Sequence, residues 1–217
     1  MKFFHSCALI TCSLFAILLS SCTSNNKLPV LGQREAKEVK HKDGSVSVDT
    51  VYQTIAPFRF LNQDSIYIDN ATFNNKIYIA DFFFTSCTTI CPTMHRNLKT
   101  IFEEYKDSPE VAFLSHTIDF KYDHPSVLKK YAKKLGVYGK NWSFAFGAKD
   151  SIYNIAEKSY LVAVMQDTTN KDGYIHQGWL VLIDKERRMR GAYDGTNPES
   201  IAQLKKDLPI LLAEYKK

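Results

Sequence analysis

"KIYIADFFFTSCTTICPTM", residues 76–94, changes character twice within a short span. Residues 76–84 are β-branched and aromatic, with almost no polar break. A run of that kind suits a central strand buried on both faces. It stops at Thr85, and Cys87 and Cys91 follow, with Thr88, Thr89 and Ile90 between them and Pro92 next. Met94, Leu98, Ile101, Phe102 and Tyr105 then recur at helical spacing, which predicts a helix over roughly 92–106. Pro92 suits its first turn, where a missing N–H costs nothing. The two thiols therefore fall at the end of a buried strand, where α/β folds keep their sites.

The same pattern continues on both sides. Residues 54–73 alternate apolar with Asn, Gln and Asp and predict a small hairpin. Residues 110–118 read as a second strand, and Pro125 opens a helix that Gly136 closes. "WSFAF", 142–146, is a third strand, and 151–160 a short helix. "GWLVLID" and "MRGAYDG" flank "KERR" as an antiparallel hairpin. Asn197 and Pro198 start a last helix that Pro209 is expected to kink or divide. This order predicts one α/β sandwich whose sheet is parallel at first, with an antiparallel edge. Phe82, Phe83 and Phe84 are expected in its core.

Three chemistries are open to the cysteine pair. A static disulfide over so short a loop gains little closure entropy and would be a poor staple. A redox couple gains from a helix N-terminus, whose dipole favours the thiolate. A metal site gains because residues four apart share a helix face, and thiolates prefer soft ions. Two ligands rarely complete a site, so a histidine is the natural third. His95 follows Cys91 by four residues, but a solvated helix position is its ordinary reading. His116 and His124 flank a loop carrying Asp119 and Asp123, and His176 precedes the strand "GWLVLID".

The N-terminus places this chemistry in a compartment. Lys2 precedes a short apolar run, residues 8–19, of signal-peptide length. It ends in "LLSSC", which resembles a lipobox, so Cys22 is the expected lipidation site and Cys7 and Cys12 go with the cleaved segment. That leaves residues 1–21 as signal, 22–50 as a polar tether and 51–217 as the folded body, held outside the cytoplasm where thiols can oxidise. The chain carries 28 Lys and Arg against 23 Asp and Glu, a formal net charge of +5. The basic residues are scattered, with no basic block or aromatic-basic ladder, so nucleic acid is not an expected partner.

Four stretches, in order, resemble the Sco/SenC family of copper chaperones: "FFFTSCTTICPTM", "TIDFKYDHPSVLKKYAKKLG", "WSFAFG" and "DGYIHQGWLVLID". The resemblance implies a thioredoxin-like three-layer α/β sandwich with a mixed sheet, a C-terminal antiparallel hairpin and an added N-terminal hairpin. It implies one copper ion, Cu(I) or Cu(II), on Cys87, Cys91 and His176, with Asp119 close by. It implies a metallochaperone rather than an enzyme, working on the copper-bearing subunit of cytochrome c oxidase or another copper protein, and in need of a thiol reductant. The aspartate loop, "DFKYDHP", lacks a proline directly after Asp119, and His95 offers an alternative nitrogen. A thiol–disulfide oxidoreductase using Cys87 and Cys91 is the competing reading. A reductase has no chemical requirement for His176, whereas Cu(II) does.

Overall fold

The computed structural model describes residues 27–139, 141–167 and 174–216, with Ile175 and His176 described through their backbone alone. The expected signal segment and Cys22 lie outside the described residues. The strands are β1 Arg34–Lys40, β2 Val46–Tyr52, β3 Arg59–Leu61, β4 Tyr67–Asp69, β5 Ile77–Phe83, β6 Val111–Thr117, β7 Trp142–Ala145, β8 Val164–Gln166, β9 Tyr174–His176, β10 Trp179–Ile183 and β11 Met189–Asp194. The helices are α1 Cys91–Tyr105, α2 Pro125–Leu135, α3 Lys149–Lys158 and α4 Pro198–Glu214. Among the described residues, no helix is long and apolar enough to cross a membrane.

The central sheet runs β11-β10-β5-β6-β7. β5, β6 and β7 are parallel; β10 is antiparallel to both β5 and β11. Two successive right-handed crossovers stepping the same way along a sheet put both helices on one face. Contacts on that face agree: Phe83 of β5 meets His95 of α1 and Tyr131 of α2, and Phe102 of α1 meets Phe113 and Trp142. The opposite face carries Phe82 and His116, covered by Phe58, Phe60 and Tyr160. Every residue of β5 is consequently buried. Each phenylalanine so buried contributes roughly 1.5–3 kcal/mol.

Three elements differ from the sequence expectation. Pro209 lies inside α4, which runs unbroken from Pro198 to Glu214. Residues 34–50 of the expected tether, together with Val51 and Tyr52, form the β1–β2 hairpin, with pairs such as Glu35–Val51 and Lys37–Asp49. Val46, Val48 and Val51 stay exposed in it, so the usual apolar signature of a packed strand is missing. His176, expected ahead of a strand, sits on one of its own: β9 pairs with β8 in a separate two-stranded sheet.

The chain joins the sandwich at the end of the sheet remote from the cysteine loop. Leu31 bridges Met189 at the start of β11. The Arg190 guanidinium donates to the Leu28 carbonyl at 2.5 Å, to the Pro29 carbonyl at 3.0 Å and to Glu214 Oε2 at 2.8 Å. Asp184 Oδ2 accepts a further bond from the same side chain at 3.2 Å.

Candidate metal centre

Cys87 and Cys91 are buried thiols at the carboxyl end of β5, 8% and 1% exposed. Cys91 opens α1 itself, one residue earlier than the spacing indicated. The Cys87 N–H donates to the Phe84 carbonyl at 3.2 Å, which turns the chain sharply out of the strand. Cys87 Sγ lies 3.5 Å from Thr89 Oγ1. The two cysteines share a hydrogen bond, and that bond first, then burial, pushes the Cys91 thiol far above the usual range. At Cys91 the helix dipole, worth about 1 kcal/mol toward the thiolate, is opposed by the neighbouring sulfur and by burial, which favour the thiol.

Asp123 braces this loop. Its carboxylate accepts from the Thr85 N–H at 2.9 Å, the Thr85 hydroxyl at 2.5 Å and the Thr117 hydroxyl at 2.6 Å. Burial raises its pKa, against the pull of those three donors. The start of the cysteine loop, the end of β6 and the aspartate loop thereby form one unit.

Below the thiols lies a buried polar chain that the sequence reading missed. Asp81 and His95 are both fully buried. His95 Nε2 donates to Asp81 Oδ1 at 3.0 Å, and the Tyr131 hydroxyl donates to His95 Nδ1 at 2.7 Å. Ser115 donates to Asp81 Oδ2 at 2.5 Å, and the Trp142 indole N–H donates to Ser115 Oγ at 2.9 Å. His95 is thus not a solvated helix residue. It lies on the stripe of Cys91, Met94, Leu98, Ile101 and Phe102 that faces the sheet. The signal was present in part: Asp81 is the one acid in an otherwise apolar strand, and such an acid needs a buried partner.

His116 faces the other way. Its ring stacks on Phe82 at 4.7 Å, and Nδ1 donates to the Asp81 carbonyl at 3.2 Å. Its Nε2 is buried and has no hydrogen-bond partner among the described residues. Burial pushes its pKa down from 6.5 to about 4, the Asp81 carbonyl and charge offsetting only part of this. The unfolded chain binds that proton near 6.5 and the folded one only near 4. This contribution to stability is therefore whole above 6.5 and is lost as pH falls toward 4, by about 3 kcal/mol in total. Urea unfolding of the parent and of His116→Phe across that window should show the parent's slope shrinking in the variant; equal slopes would sink the assignment.

Asp119 Oδ1 accepts from the backbone N–H of Lys121 at 3.1 Å and of Tyr122 at 3.2 Å, and from the Tyr174 hydroxyl at 3.0 Å. The aspartate expected beside the metal therefore holds the strand on which His176 lies. Tyr174 is two residues before His176, and Val164 pairs with His176 across the hairpin. The His176 imidazole lies outside the described side chains. After β9, the Gly195 N–H donates to the Gly178 carbonyl at 2.7 Å. A Cβ on Gly195 would come within 2.6 Å of Met94, so glycine lets α1 approach this loop. His124 caps α2 through its backbone, and His41 pairs with Ser47 in the β1–β2 hairpin. Met94 is core packing, and Met165 is exposed.

Among the described residues, no three His, Cys, Asp or Glu side chains converge on one point. Two adjoining sulfurs are nevertheless the donor set that a soft, thiophilic ion requires.

The SCO1/SenC family model matches residues 47–209. The chain belongs to the SCO1/SenC family. A SCO1 protein homolog of Bacillus subtilis is 30% identical over 149 residues, 68% of this chain and 77% of the relative. A SCO1/SenC family lipoprotein from Bacillus anthracis superposes with a TM-score of 0.68 at 25% identity, covering 75% of this chain and 96% of the other. BsSco, described as a member of the Sco family of cytochrome c oxidase assembly proteins with a disulfide switch, superposes at 0.64 and 27% identity, covering 73% and 93%. The fold is the family's thioredoxin-like one.

Proposed function

We propose that this SCO1/SenC protein is a lipid-anchored, extracytoplasmic copper chaperone for the copper centre of cytochrome c oxidase. One copper ion is its cargo, held by Cys87, Cys91 and His176. The observation that carries this is the pair of neighbouring buried thiols joined by a hydrogen bond. Membership of the SCO1/SenC family supports copper as the ion, and two soft donors suit it. Loading displaces the proton between the sulfurs, so affinity falls as pH falls. Transfer of two electrons from the two copper-bound thiolates to a disulfide oxidant would join the sulfurs and release the cargo, the oxidant taking up its protons from solvent; a thiol reductant would return the pair to two thiols. The anchor rests on the "LLSSC" stretch and on the lipoprotein status of the Bacillus anthracis relative. Asp119 acts on the cargo indirectly, by holding β9.

The test is metal titration of the reduced protein with His176→Ala alongside. The parent should bind one copper and show a sulfur-to-Cu(II) charge-transfer band. The variant should lose Cu(II) binding by more than about a hundredfold and keep its unfolding midpoint. A variant that titrates like the parent removes His176 from the site.

One observation favours a second reading, thiol–disulfide exchange. Cys87 is the more exposed residue, at 8% against 1% for Cys91, an asymmetry that suits an attacking and a resolving thiol. Turnover of a model disulfide, undiminished in His176→Ala, would carry that reading instead.

A further inference from the structure

The Tyr174 side chain ties together three parts of the molecule that have no local reason to move as one. Its hydroxyl donates to Asp119 Oδ1 at 3.0 Å. Its ring lies 5.1 Å from that of Phe84. The Phe84 carbonyl, in turn, accepts from the N–H of Cys87 at 3.2 Å. A continuous path thus runs from the cysteine loop, through Phe84 and Tyr174, to the strand bearing His176. That strand belongs to a two-stranded hairpin apart from the central sheet, and such a hairpin has little stability of its own. Its His176 end is pinned beyond the histidine by the Gly178–Gly195 bond, and before it by Tyr174.

We infer that Tyr174 is a positioning residue that latches the β8–β9 hairpin onto the cysteine and aspartate loops, fixing His176 for Cu(II). The inference rests on the proposed metal site. Cu(I) is served by two thiolates, whereas Cu(II) requires the imidazole as well. The latch therefore acts on one oxidation state more than the other. A rearrangement of the cysteine loop on disulfide formation reaches His176 by the same route.

Tyr174→Phe keeps the ring against Phe84 and removes only the hydroxyl. In the reduced, metal-free protein, amide exchange in β8 and β9 should quicken by about tenfold, the worth of one bond to a carboxylate, while the β5 amides stay unchanged. Competition titrations with chelators should show Cu(II) affinity down by about tenfold and Cu(I) affinity unchanged, with the charge-transfer band shifted. A merely structural tyrosine would move the two oxidation states alike. Unchanged exchange in Tyr174→Phe overturns the latch whatever copper does. Faster exchange with unchanged Cu(II) affinity overturns its role toward the metal. A parent without the charge-transfer band overturns the metal reading itself, and the exchange comparison still decides whether the hairpin is latched.

Discussion

Replacing Cys91 with alanine is expected to lower copper affinity by more than about a hundredfold, because outer partners of a metal ligand alone carry ten- to a hundredfold. The same should hold for Cys87→Ala. Neither variant should unfold. Each truncates one small side chain, Cys87 in the loop after β5 and Cys91 at the start of α1, while the core contacts of β5 come from Phe82, Phe83 and Ile79, so a loss of about 1 kcal/mol is expected. Competition with a Cu(I) chelator and urea unfolding read the two quantities separately. The thiol proton adds a pH signature. Cys91 is held protonated by Cys87 and burial, so the parent should release protons on loading and bind about tenfold more weakly for each pH unit lost per proton displaced. Copper binding that survives either alanine would move the site away from the dithiol.

Asp81→Ala should be the most damaging single change to the fold, at about 3–5 kcal/mol. The carboxylate is fully buried and accepts from both His95 and Ser115, while Ser115 in turn accepts from Trp142. Removing it strands a histidine N–H and a serine hydroxyl in a dry core, where each unpaired group costs about 1–3 kcal/mol. Asp81→Asn keeps one carbonyl acceptor and should cost less. Denaturant unfolding followed through tryptophan fluorescence measures both. An alanine variant within about 1 kcal/mol of the parent would show that the Asp81–His95–Tyr131 chain is not a unit. Loss of copper affinity without loss of stability would instead tie Asp81 to the thiols above it.

Much of the frame was legible because it is local. Apolar continuity marked β5, helical spacing marked α1, and Pro125 with Gly136 bounded α2, where Gly136 takes a φ of 74°. The polar interior was not legible in the same way. Asp81 meets partners 14 and 34 residues away, and His95 meets Tyr131 at a distance of 36. Nothing in a periodicity tells which buried acid finds which base. The β1–β2 hairpin escaped notice for a different reason. Its charged residues face water on both sides, so it lacks the alternation that burial imposes on a strand. Position ahead of a strand offered His176 as one histidine among several, and the family resemblance singled it out; nothing local marked Tyr174, two residues earlier. Its bond to Asp119 spans 55 positions.

The Arg190 clasp has a mechanical side. Tension arriving along the N-terminal chain meets the guanidinium, Glu214 and Asp184 before it meets any strand beyond β11. The load is therefore spent at the end of the sandwich remote from Cys87 and Cys91. A pull on that end would have to cross the length of the central sheet before it disturbed the loop that buries Cys87 and Cys91.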